Sequence, residues 1–318
     1  MSRLPPPPAS IRVVEVGLRD GLQAVLDPVL STTDKVEVVR LLIDAGVREI
    51  EAVSFAHPKV LPQLADAEAL MAAVPRVPGV RYRGLVPNEI GARRAVETGL
   101  DEIVLVVSAD DEVSVRNQGR TVSDMLVELE GVSRLVEHSE SDLLVGVACA
   151  FFAPARGPVP WAETLRVVDA AVDVGAAGLY LAATSGMEHP YELAEGLVRV
   201  RERHPHLRLG SHLHNRNGFA MANALAAMSA GVDWLETSFG GLGGDMWFPG
   251  HPDVLGNAPT EDLVHLCDTV GVDTGIDLAR YREVVDFVAR LTGRPSVSFV
   301  CRGGTRDELA SAAWPEQS

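Results

Sequence analysis

EIVLVV at residues 102–107, VSDMLVELEGVSRLVEH at 122–138 and LLVGVA at 143–148 decide the architecture of this chain. The outer two are short, β-branched runs of the kind that form strands buried on both faces. The middle one is amphipathic with helical spacing. Two such strands joined by a helix make a crossover unit, and crossover units make a parallel sheet. Working outward, the pattern begins at Ile11 and repeats. The apolar runs are Ile11–Val16, Glu49–Phe55, Tyr82–Val86, Glu102–Val107, Leu143–Ala148, Gly178–Ala182, Leu207–Leu213 and Val232–Thr237. Helical stretches alternate with them at Thr33–Ala45, Glu89–Thr98, Val122–His138, Trp161–Val174, Tyr191–Arg203 and Gly218–Ser229. Gly46, Gly99, Gly175 and Gly231 stand where C-caps belong. Eight units match an α/β fold of the (β/α)8 TIM-barrel type, whose usual size is about 250 residues. A doubly wound open sheet is the rival, but Gly17-Leu18-Arg19-Asp20-Gly21 after the first run is not a dinucleotide-binding glycine turn. Residues 260–292 read as two extra C-terminal helices on the barrel wall. The expected organisation is a Pro-rich disordered lead-in over residues 1–10, one domain over 11–295 and a loose tail over 296–318.

Composition narrows the function. Among 318 residues, 28 Lys and Arg face 44 Asp and Glu, a net charge of −16, which argues against nucleic acid or an anionic membrane as partner. No apolar run is long enough to span a membrane, and the lead-in lacks the apolar core of a signal peptide. Three scattered cysteines, Cys149, Cys267 and Cys301, suit a reducing cytoplasm better than a disulfide framework. Lys35 and Lys59 are the only lysines, so a Schiff-base mechanism has two candidates.

In a barrel of this type, active groups lie at the C-terminal ends of the strands. The first run ends in Glu15, Arg19, Asp20 and Gln23; a solvated loop with Asp20 as a helix cap explains the same residues. The seventh ends in Ser211-His212-Leu213-His214-Asn215. Residues i and i+2 of a strand share a face, so both imidazoles project into the barrel mouth, where a carboxylate from another strand would complete an open metal site. Two histidines hydrogen-bonded in a polar layer are the plainer account. The second run ends in Glu51, Ser54, Phe55 and His57. A glutamate within an apolar run must be paired if buried, and Arg19 is its natural partner, as a structural ion pair or a catalytic one. After the eighth run, Gly240-Gly241-Leu242-Gly243-Gly244 leads into Asp245-Met246-Trp247-Phe248, a glycine-rich loop expected to close over a substrate.

Taken together, residues 11–292 resemble the hydroxymethylglutaryl-CoA lyase family of metal-dependent TIM-barrel lyases. The motifs that carry the likeness are residues 15–23 (EVGLRDGLQ), 51–55 (EAVSF) with Pro58-Lys59, 85–88 (LVPN), His212-Leu213-His214, 241–244 (GLGG), Gly256-Asn257 and 260–263 (TEDL). The resemblance implies a divalent cation, Mg²⁺ or Mn²⁺, held by Asp20, His212, His214 and Asn257. It implies Arg19 and Glu51 as catalytic groups, with Gln23, Ser54, His57 and Asn88 toward the substrate. The implied reaction is carbon–carbon cleavage of a 3-hydroxy acyl-CoA or related 3-hydroxy acid, in which charge develops first on the hydroxyl oxygen and then on an enolate. A Lewis acid suits the first and a fixed guanidinium the second. A cytoplasmic homodimer is the expected assembly.

The departures from the family pattern fall on proton-transfer positions. Asp245 stands where the family has a cysteine, Ala183 where it has an acidic residue, and Asn215 where it has an aspartate. The segment between Gly244 and Asn257 looks longer than the family's. Asp245 is the candidate to replace the cysteine as acid or base, with its pKa raised by an apolar loop. Two further readings stand beside the lyase: a metal-dependent aldolase or Claisen-type condensing enzyme on a small keto acid without CoA, and a non-catalytic barrel with a binding role.

Overall fold

The computed structural model describes residues 7–244, 248–249 and 256–314. The eight apolar runs become eight strands of one closed, all-parallel barrel, with small shifts at their ends. They are Arg12–Glu15 (β1), Glu49–Ser54 (β2), Arg81–Val86 (β3), Glu102–Ser108 (β4), Asp142–Ala148 (β5), Gly178–Ala183 (β8), Arg208–Leu213 (β9) and Trp234–Thr237 (β10). A short hairpin, Phe152–Ala153 (β6) with Gly157–Pro158 (β7), follows β5. The barrel closes in the order β1-β2-β3-β4-β5-β8-β9-β10, as expected of a (β/α)8 barrel. Capping boxes start several of the outer helices, Ser31 with Asp34 and Thr121 with Asp124 among them. Helices at Ala67–Ala73 and Asp111–Gln118 lie outside the stretches marked by apolar spacing. The two extra helices are Thr260–Val270 and Leu278–Thr292.

The larger apolar core lies between barrel and helices. A smaller one fills the interior with Val14, Val16, Val104, Leu144, Tyr180, Ala182 and Trp234. Below it, the interior is ionic. Arg83, fully buried, meets Glu49 at 2.6 Å, Glu236 at 3.1 Å and also Glu102, and its guanidinium stacks 5.0 Å from the Trp234 ring centroid. Three carboxylates around one buried guanidinium offset its desolvation, where a single partner would leave the balance poor.

Two boundary expectations need correction. Residues 296–318 are not a loose tail throughout, since Phe299–Gly303 and Arg306–Ser311 are helical. The Asp262 carboxylate accepts from Ser298 Oγ, Phe299 N and Val300 N at 2.6–3.0 Å, and Val297 N donates to Gly240 O, so the segment is pinned against the loop after β10. The lead-in is fastened at its described end, where Asp273 N donates to Ala9 O and Ile11 N to Asp273 O. Residues 1–6 and 315–318 lie outside the described residues.

Candidate metal and active centre

A π-helical turn, Gly17–Gly21, follows β1. The amides of Arg19, Asp20 and Gly21 all converge on Val16 O, a tight winding of the kind found at functional sites. It brings Arg19 and Asp20, adjacent in sequence, to the C-terminal mouth of the barrel beside a cavity of about 350 Å³. Arg19 donates to Asp20 Oδ1 through Nη1 and to Glu51 Oε2 through Nη2 at 2.8 Å, so the expected Arg19–Glu51 pair is present and buried. Burial alone would disfavour the charge on Arg19, but the Glu51 and Asp20 carboxylates outweigh it and hold its pKa above the ordinary value. Burial pushes the Glu51 carboxyl up, against the pull of Arg19. Burial acts the same way on Asp20 and is overcome by Arg19, His214 and His212, which hold this carboxyl well below the usual range.

Asp20, His212 and His214 each place a ligand atom within 4.8 Å of the others. Their hydrogen bonds determine which ring nitrogens face inward. His214 Nδ1 lies 2.7 Å from the Thr184 carbonyl, which can only accept, so Nδ1 carries the proton. His212 Nδ1 lies 3.1 Å from Glu236 Oε2, and Glu236 also takes Arg83 Nη1 and Trp234 Nε1, so this carboxylate is an acceptor as well. With Nδ1 bonded outward, each ring turns Nε2 inward, where its neutral form presents a lone pair, and the two nitrogens stand 3.1 Å apart. Asp20 Oδ2 is 3.9 Å from one and 3.5 Å from the other. Two imidazole nitrogens and a carboxylate converging on one point can share a cation between them. The donor set fits a divalent ion, with outer partners of the kind that orient metal-bound histidines.

Asn257 joins the cluster differently from the expectation. Its Nδ2 donates to Asp20 Oδ2 at 2.7 Å and to Leu242 O at 2.9 Å, while its Oδ1, the atom able to ligate, is buried with no hydrogen-bond partner among the described residues. The glycine loop passes close over this amide: at Gly243, with φ of +147°, a Cβ would stand 2.1 Å from Nδ2.

The remaining expected residues divide. Gln23, His57 and Asn88 line the cavity. Gln23 Nε2 reaches Asp20 Oδ1 at 3.3 Å, whereas Asn88 Oδ1 caps the helix Glu89–Ala95 through Gly91 N and His57 Nδ1 accepts from Lys59 N. Ser54 is not brought to the cavity wall; it is buried, and its hydroxyl accepts from Ala56 N at 3.2 Å because a short side chain finds a backbone partner first. Glu15 also stays out of the mouth, held by Thr260, Tyr281 and the Gly17 and Phe239 amides. Ala183 is buried in β8, and Asn215 Oδ1 accepts from Ala220 N at the start of a helix. Asp245, with Met246 and Trp247, lies outside the described residues.

Sequence reasoning missed Glu236 and Tyr180, both inside the barrel. The rule that singled out Glu51, a carboxylate within an apolar run, applies equally to Trp234-Leu235-Glu236-Thr237 and would have found Glu236. It also passed over Glu188, fully buried after β8, whose carboxyl burial pushes up while its oxygens accept from Ser185 and Met187.

Comparison with known proteins agrees with this geometry. Residues 10–288 match the HMGL-like family model. The (R)-citramalyl-CoA lyase of Chloroflexus aurantiacus is 33% identical over 305 residues, covering 93% of this chain and 95% of that protein. The mitochondrial hydroxymethylglutaryl-CoA lyase of Arabidopsis thaliana is 33% identical over 291 residues, 92% of this chain but 61% of the plant protein's length. An HMG-CoA lyase from Acinetobacter baumannii, solved in complex with coenzyme A and 3-methylmalate, superposes with a TM-score of 0.90 at 30% identity, covering 96% of this chain and 98% of that one.

Proposed function

The chain belongs to the HMGL-like family and is a carbon–carbon lyase, and from that premise we propose that it cleaves a small 3-hydroxy acyl-CoA by a retro-aldol route. The observation that carries this reading is the convergence of the His212 and His214 Nε2 lone pairs with Asp20, one residue from a buried guanidinium, on one cavity. Asp20, His212 and His214 would hold Mg²⁺ or Mn²⁺, with Asn257 added through Oδ1 after its amide turns over. A cation there supplies Lewis-acid stabilisation of negative charge on substrate oxygen.

The protein's own residues account for the rest. The 3-hydroxyl gives up its proton, the bond between C2 and C3 breaks, C3 leaves as a ketone, and the electron pair remains on the thioester fragment as an enolate that takes a proton at C2. Arg19, held from two sides by Asp20 and Glu51, presents a fixed positive charge to the enolate oxygen without reorganising. Gln23, His57 and Asn88 border the space the substrate enters. Proton transfer is assigned to Asp245, on its position in the glycine loop that begins beside Asn257. The assembly is a homodimer, a reading supported by the exposed apolar side chains of Val297, Phe299, Leu309 and Trp314 on the C-terminal segment, and its place is the cytoplasm, which three scattered cysteines suit.

A panel of 3-hydroxy acyl-CoAs and free 3-hydroxy acids, run with Mg²⁺, with Mn²⁺ and with chelator, tests the reading. Metal-dependent release of a ketone and an acyl-CoA is expected. Cleavage of free acids alone would move the protein to the aldolase class, and full activity in excess EDTA would remove the metal from the reaction.

A further inference from the structure

Tyr180 stands in the middle of β8, level with Gly146 on β5 and Gly210 on β9. Gly146 gives its ring room to lie across the barrel interior, since a Cβ added there would stand 2.4 Å from the Tyr180 hydroxyl, while Gly210 makes way for the Trp234 ring. The residue is 3% exposed, and what remains open faces the cavity that it lines together with Arg19, Asp20, His212 and His214. Its ring centroid lies 5.9 Å from that of His212. Among the described residues the hydroxyl has no hydrogen-bond partner, yet it is not among the sealed, unpaired atoms of the interior. Tyrosine hydroxyls this deeply placed normally find a partner. Here the partner must come through the cavity.

The hydroxyl is a donor in this setting. A phenol, with an ordinary pKa of about 10, keeps its proton at neutral pH. A donor seeks an acceptor, and the acceptor has to reach past the metal-site side chains to the floor of the cavity. The acyl end of a substrate held at Asp20, His212 and His214 is placed to do that. The ring also takes up space that a longer acyl chain would need.

We propose that Tyr180 is a specificity-determining residue whose hydroxyl donates a hydrogen bond to a carboxylate or carbonyl oxygen on the deep end of the acyl group, so that the cavity takes short, oxygen-bearing acyl groups in preference to longer apolar ones. The identity of the acyl group rests on the lyase reading; the hydrogen bond does not.

The test uses the Mn²⁺-loaded protein, Tyr180→Phe, and 3-methylmalate as a non-thioester probe titrated by calorimetry. Tyr180→Phe is expected to bind the probe about ten- to a hundred-fold more weakly, the usual worth of a hydrogen bond to a charged acceptor. Its Mn²⁺ affinity and melting temperature should match the parent's. With a thioester substrate, KM should rise and discrimination against an analogue lacking the terminal oxygen should collapse. Equal probe affinity in the two proteins overturns the proposal, as does failure of the parent protein to bind the probe. If no thioester is cleaved but probe binding falls on removing the hydroxyl, the lyase reading fails and the hydrogen bond stands. If thioesters are cleaved with KM and probe affinity unchanged, the reverse holds.

Discussion

Glu236→Gln isolates the bond that orients a metal ligand. The Glu236 carboxylate accepts from His212 Nδ1, Trp234 Nε1 and Arg83 Nη1, and has no donor of its own to offer. An amide of the same shape keeps one acceptor oxygen and replaces the other with an NH₂ group. If that NH₂ faces His212, the ring must move its proton to Nε2 and the inward lone pair is lost; if it faces Arg83 and Trp234, two donors oppose it. Losing an outer partner of this kind typically weakens metal binding ten- to a hundred-fold, about 1.4 to 2.7 kcal/mol. The fold should survive, because Arg83 keeps Glu49 and Glu102 and so escapes the roughly 3–5 kcal/mol cost of a buried charge left without its partner. The assay is a Mn²⁺ titration followed by the free-ion EPR signal, with urea unfolding alongside. Glu102→Gln is the control: it also removes a partner of Arg83 but does not touch His212, so it should lower stability and leave Mn²⁺ affinity alone. A Glu236→Gln protein that binds Mn²⁺ as the parent does would refute the reasoning and leave Glu236 as a partner of Arg83 only.

Arg19→Lys should lower kcat by two to three orders of magnitude, about 2.7–4 kcal/mol, because an ammonium cannot meet Asp20, Glu51 and an enolate oxygen as a planar fork does; a variant running at the parent rate removes Arg19 from the mechanism. Asp245→Asn should depress kcat and erase the acidic limb of the pH–rate profile with little change in Mn²⁺ affinity, and an unchanged profile transfers the proton role to another group. Glu15→Gln should fold, since the Thr260 and Tyr281 hydroxyls can turn to accept from the new NH₂ while the amide oxygen keeps the Gly17 and Phe239 amides. Burial raises the folded pKa of Glu15 from 4.5 to about 7, so the folded state binds this proton more tightly than the unfolded chain. The associated stability is complete below about 4.5 and is lost as pH rises to about 7, by about 3 kcal/mol. Urea unfolding between pH 5 and 8 should therefore show a shallower decline in Glu15→Gln, and an equal decline in both proteins would assign the pH dependence elsewhere.

The barrel was legible because each strand and helix announces itself locally, through β-branched runs, helical spacing and cap residues that need only their neighbours to be read. The strand-end groups Arg19, Asp20, Glu51, His212 and His214 were legible for a related reason: a charge or a pair of imidazoles at the end of an apolar run has few places to go, and the mouth is one of them. What escaped depends on register between strands. That Tyr180 lies level with two glycines, and that Glu236 faces His212, follows from how far β8 and β10 are staggered against β9, a quantity set by closure of the whole barrel. The same holds for Arg83, whose three carboxylates come from β2, β4 and β10.

Short polar side chains fail in the opposite direction. A serine or asparagine near a strand end reads as a substrate contact, but its reach is small and a backbone partner is always within it. Ser54 therefore bonds Ala56 and Asn88 caps a helix. The C-terminal segment shows how order can be imported into an unpromising stretch: Ser296, Ser298 and the amides of Phe299 and Val300 are held by Glu261 and Asp262, carboxylates more than thirty residues earlier. Those two glutamate and aspartate side chains sit at the first turn of the helix Thr260–Val270, and Glu261 also accepts from Gly240 N at 3.1 Å. The segment expected to be loose thus braces the base of the glycine loop whose next turn holds Asn257 against Asp20, which ties the geometry of the metal cluster to residues that touch no part of it.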